Sequence, residues 1–107
     1  MRFFFYSHDG MGLGHVRRHI AIAAALHETA PNVQVLLATS VNEVVGLGLP
    51  PNVDTLKLPS LRKITNKEYA PRRLGIPSGE MRSLRSGLLR EAVQVEPGQG
   101  AIRAARV

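Results

Sequence analysis

Between Ser7 and Arg18 the sequence reads Ser-His-Asp-Gly-Met-Gly-Leu-Gly-His-Val-Arg-Arg, and here the residues best suited to chemistry crowd together. Gly10, Gly12 and Gly14 recur at alternate positions and run directly into His15, with Arg17 and Arg18 close behind. Glycine allows sharp bends and lets a ligand come close to backbone N–H groups. A helix starting here would aim unpaired amides and its positive dipole end at that opening, which suits a phosphate or another anion. His15 falls where loop becomes helix. The same dipole disfavours imidazolium, so a neutral ring able to accept a proton is expected there. Arginines in a first helical turn oppose the dipole and invite an anionic partner. The same residues also suit a tight turn without a ligand, a histidine packed against that turn and two solvated arginines.

The spacing excludes several familiar sites. His15 occupies the position where the dinucleotide fingerprint needs its third glycine, and no Lys-Ser or Lys-Thr closes a P-loop. The second strand ends Ala38-Thr39-Ser40, without the acidic residue that would hold a ribose. No nicotinamide or flavin cofactor is therefore expected. His8, His15, His19 and His27 lack a carboxylate at matching spacing, and no Asp-x-Asp occurs, so no metal is expected either.

The elements that must hold these residues follow from apolar patterning. Residues 2–7, with Phe3-Phe4-Phe5-Tyr6, predict a buried strand. Val16 to Ala30 predicts a helix with Val16, Ile20, Ala23, Ala24 and His27 on its buried face, ended by Pro31. Val33 to Ala38 predicts a second strand, Val41 to Leu47 a short helix after a Thr39-Ser40 cap, and Val53 to Leu58 a third strand. Strand, glycine turn, helix and strand make a βαβ unit, so the fold class is α/β, a partial Rossmann-like parallel sheet with flanking helices. Pro59 to Pro77 shows no periodicity. Its basic residues Arg62, Lys63, Lys67, Arg72 and Arg73 predict either a solvated loop or one that contacts a ligand, with Arg62, Lys63 and Tyr69 as candidates. Ser78 is placed to cap a last helix, whose core stripe is expected at Met81, Leu84, Leu88 and Ala92, with Arg82, Arg85 and Arg90 off it. Residues 1–94 thus read as one domain. Residues 95–107 read as an irregular tail, because Pro97, Gly98 and Gly100 argue against a strand. Such a tail is expected of a truncated or frame-shifted gene.

Composition narrows the function classes. The chain has 107 residues, 44% of them hydrophobic, and no cysteine, so disulfides and thiolate metal sites are excluded. No apolar run reaches the length of a membrane span or forms a signal-peptide core, and a cytoplasmic location is expected. The net charge of +6 is uneven: residues 57–107 hold eleven basic and four acidic groups, residues 1–56 three and four. That positive half would attract phosphorylated ligands, or an anionic membrane surface through the arginines of the last helix. Tyr69 is its one aromatic residue, which argues against nucleic acid.

At Tyr6-Ser7-His8-Asp9, leading into Gly12-Leu13-Gly14-His15-Val16-Arg17-Arg18, the chain resembles the start of a family of predicted glycosyltransferases related to the MurG type (family 28-like). The likeness continues through Leu58-Pro59-Ser60 and Glu68-Tyr69 to about Gln94. It implies the acceptor-side, N-terminal half-domain of a GT-B fold, in which two Rossmann-like domains face a cleft. It further implies a nucleotide-sugar donor, a hydroxyl acceptor, transfer of a hexosyl group without a metal, and His15 as the catalytic base or orienting group. Gly12, Gly14, Arg17, Arg18, Arg62 and Tyr69 are the expected substrate-binding residues. Because the donor-binding half is not within these residues, the chain alone is expected to be inactive and to need a separately encoded C-terminal half. Two alternatives stay open, a non-catalytic anion- or acceptor-binding half-domain and a fragment of a sugar-nucleotide epimerase-like enzyme.

Overall fold

The computed structural model describes residues 1–7, 13–63, 69–94 and 102–105. Strand β1 (Arg2–Tyr6) leads to helix α1 (Gly14–Thr29) and strand β2 (Gln34–Thr39). A 3-10 turn (Val44–Leu47) then carries the chain to β3 (Val53–Lys57). Strands β4 (Leu61–Lys63) and β5 (Tyr69–Pro71) follow, then helix α2 (Ser78–Gln94) and strand β6 (Ile102–Ala105). The main sheet has the order β3-β2-β1-β6, and every neighbouring pair in it is parallel.

Alternation along the strands explains why they are apolar almost throughout. Phe3, Phe5, Val35, Leu37 and Val53 face α1, packing with Val16 and Ala23 and with Val44 and Leu47 of the 3-10 turn. Phe4, Tyr6, Leu36, Ala38 and Leu56 face the other way, against Leu88, Leu89, Ala92 and Val93 of α2. A parallel sheet covered on both faces needs apolar side chains at odd and even positions alike. Burying each of Phe4 and Phe5 contributes roughly 1.5–3 kcal/mol. Asn52 ties the layers at the far edge: its Nδ2 donates to the Ala23 and Val33 carbonyl oxygens, both at 3.2 Å.

The structure revises four sequence expectations. The buried face of α1 is Val16, His19 and Ala23; Ala24 and His27 are only half-buried. In α2 the expected stripe is rotated: Leu84 is 41% exposed and Arg85 6%. Leu88 and Ala92 keep their places beside Leu89 and Val93, and the side chain at the second buried turn is the arginine. With Arg85 buried, only Arg82 and Arg90 of that trio lie on the solvent side.

The 59–77 stretch, expected to be irregular, contains the antiparallel β4–β5 pair, in which Leu61 opposes Pro71, Arg62 opposes Ala70 and Lys63 opposes Tyr69. Three-residue strands are too short to show a period, and a proline is tolerated in such an edge position. Finally, residues 95–107 are not irregular throughout. Ile102–Ala105 forms β6, pairing Ile102 with Arg2 and Ala105 with Phe5. Pro97, Gly98 and Gly100 precede this strand rather than interrupt it, and the open edge of β1 supplies the partner that Ile-Arg-Ala-Ala alone would not specify.

Candidate anion site at the carboxyl edge of the sheet

Strand order places the site. From β1 the chain steps outward to β2 and β3, then crosses by way of α2 to β6 on the opposite side of β1. The order reverses at the carboxyl end of β1, and in open α/β sheets the ligand crevice opens at such a reversal. The edge there is tied together step by step. Ser7 N–H donates to the Ala38 carbonyl (2.9 Å) and Leu58 N–H to the Thr39 carbonyl (2.8 Å). The Thr39 hydroxyl accepts from Val41 N–H at 3.1 Å, holding the chain as it leaves β2.

Among the described residues, no side chain caps helix α1 where it opens onto this edge. Leu13 holds the N-cap position and has no side-chain oxygen to offer, and no acidic residue lies in the first turn. The first intrahelical bond runs from Arg17 N–H to the Leu13 carbonyl at 2.9 Å. The amides of Gly14, His15 and Val16 therefore have no intrahelical acceptor. Val16 turns inward to the core, while Gly14, His15, Arg17 and Arg18 are exposed. Helical side chains lean toward the N-terminus, so Arg17 and Arg18 tilt back over the turn that Gly14 and His15 begin. Neither arginine makes a hydrogen bond or ion pair among the described residues. Gly14 is helical rather than left-handed, and a Cβ built on it meets nothing within 4 Å. Its bareness thus answers no packing need within the described chain.

Gly12 lies outside the described residues. Arg62 and Tyr69 are described only through their backbone, on adjacent strands of the hairpin that leaves β3. The first helical turn therefore gathers four of the sequence-expected positions, Gly14, His15, Arg17 and Arg18.

No family model, curated protein or solved structure matches this chain. Function must then be argued from the site, since an α/β sheet of this kind hosts many activities. Among the described residues no group of three or more His, Cys, Asp or Glu could hold a metal, and no helix is long and apolar enough to cross a membrane.

Sequence reasoning missed the polar residues beneath the edge. The Ser7 hydroxyl and His19 Nδ1 lie 2.6 Å apart, both residues buried, and the His19 ring sits 5.3 Å from that of Phe5. This contact ties the end of β1 to the second turn of α1, holding the helix start at the carboxyl edge of the sheet. Across the sheet, the buried Arg85 guanidinium donates to the Pro59 carbonyl and, at 3.2 Å, to the Tyr6 hydroxyl. Spacing offered one clue to each: His19 is three residues from Val16 and four from Ala23, and Arg85 is four from Met81.

Proposed function

We propose that these residues form the N-terminal, acceptor-side part of a nucleotide-sugar-dependent glycosyltransferase of the MurG-like, GT-B kind, acting in the cytoplasm together with a donor-binding half. The observation that carries the reading is the exposed His15 at a helix start that no described side chain caps, at the point where strand order reverses. In the reaction an acceptor hydroxyl attacks the anomeric carbon of the sugar, and the bond to the nucleoside diphosphate breaks. His15 takes the hydroxyl proton. The amides of Gly14 and His15, with Arg17 and Arg18, stabilise the charge that develops on the departing diphosphate.

The purified chain alone is expected to transfer no sugar. In a two-domain protein carrying the same Gly-Leu-Gly-His run, replacing the matching histidine by alanine should cut turnover by about 10²- to 10⁴-fold with the melting temperature unchanged. Unchanged turnover in that variant would remove the histidine from the mechanism.

The two arginines, unopposed by any acid in the first turn, favour a second reading as a non-catalytic anion-binding half-domain. Anion binding that weakens with salt and survives His15→Ala, in a protein without transfer activity, would select it.

A further inference from the structure

A basin of about 590 Å³ lies at the carboxyl end of β3, between the 3-10 turn's approach, the base of the hairpin and the first turn of α2. Its size falls in the range of small-molecule sites. Leu58 and Met81, both fully buried, form the packed floor, and Pro59 with the 47%-exposed Leu74 supplies the apolar wall. The polar rim carries Asn42, Lys57 and Arg73 and no acidic residue among those described as lining it. Lys57 Nζ is held at that rim by the Leu58 carbonyl (2.7 Å) and the Ser60 hydroxyl (3.2 Å), and Ser60 in turn donates to the Ser40 carbonyl (3.1 Å). Behind the Pro59 wall, the buried Arg85 guanidinium donates to the Pro59 carbonyl. Arg73 is exposed and makes no hydrogen bond or ion pair among the described residues.

We propose that this basin binds an amphiphilic anion, a small molecule whose phosphate or carboxylate meets Arg73 and Lys57 while its apolar body lies on Leu74 and Pro59. A large exposed leucine beside an arginine without a partner among the described residues is poorly placed for water alone but well placed for such a ligand. The positive rim focuses anions, and the apolar wall rejects those that are fully hydrated. The site uses no residue of α1 and stands apart from the transferase reading.

Octyl phosphate below its micelle-forming concentration tests this by calorimetric titration of the full chain. Saturable one-to-one binding is expected, with inorganic phosphate and octyl glucoside each binding at least about tenfold more weakly. Arg73→Gln and Leu74→Asn, both at exposed positions and checked for unchanged circular dichroism, should each weaken octyl phosphate by about tenfold or more. Arg17→Gln with Arg18→Gln should leave it unaltered. Binding insensitive to Arg73 and Leu74, or lost with Arg17 and Arg18, would overturn the proposal. So would association with phosphatidic-acid vesicles when octyl phosphate does not bind, which would mark a charged membrane contact instead.

Discussion

His15 and His19 stand one turn apart on α1, yet their surroundings separate them completely. His15 is exposed in the first turn of the helix, whereas His19 is 1% exposed, beside the Phe5 ring and within hydrogen-bond distance of Ser7. His15→Ala should change the unfolding free energy by no more than about 0.5 kcal/mol, the usual range for surface positions. His19→Ala should cost about 2–4 kcal/mol, through a cavity and a lost buried contact. Urea denaturation of the two variants measures both. Equal losses would mean that His15 is a packing residue and that the chemistry assigned to it is misplaced. The sequence made His15 legible because it closes a glycine run. It hid His19, whose burial depends on Ser7 and Phe5 of another element.

At the scale of elements, the start of α1 is where structure and proposed chemistry meet. A Cβ at Gly14 meets open space and the backbone there is helical, so Gly14→Ala should hold or slightly raise the melting temperature. The same methyl group should weaken anion binding at the helix start. A large loss of stability would instead show that glycine serves the fold at this position. Strands β1 to β3 and both helices were readable in sequence because each buries a face and so repeats apolar residues. The β4–β5 hairpin and β6 were not, for a shared reason. Elements of three or four residues take their identity from the strand they pair with, and Ile-Arg-Ala-Ala becomes a strand only against the edge of β1. Arg85 misled in another way: a charged residue can take a core position when a carbonyl and a hydroxyl are waiting for its donors.

For the whole molecule, β6 turns a three-strand run into a sheet whose order reverses at β1, and that reversal sets where a ligand crevice opens. Removing residues 95–107 would strip β6 from the Arg2–Phe5 edge and expose its backbone groups. A lower urea midpoint and self-association in sedimentation are expected. An unchanged midpoint with a monomeric species would restore the picture of an irregular tail. The central claim, that a diphosphate gathers at the first turn of α1, is tested most directly by titrating the isotopically labelled chain with inorganic pyrophosphate and following backbone amides by NMR. The account predicts saturable shifts centred on Gly14, His15 and Val16 that weaken with added salt and with Arg17→Gln plus Arg18→Gln. Shifts centred elsewhere, or none at this turn, would contradict it.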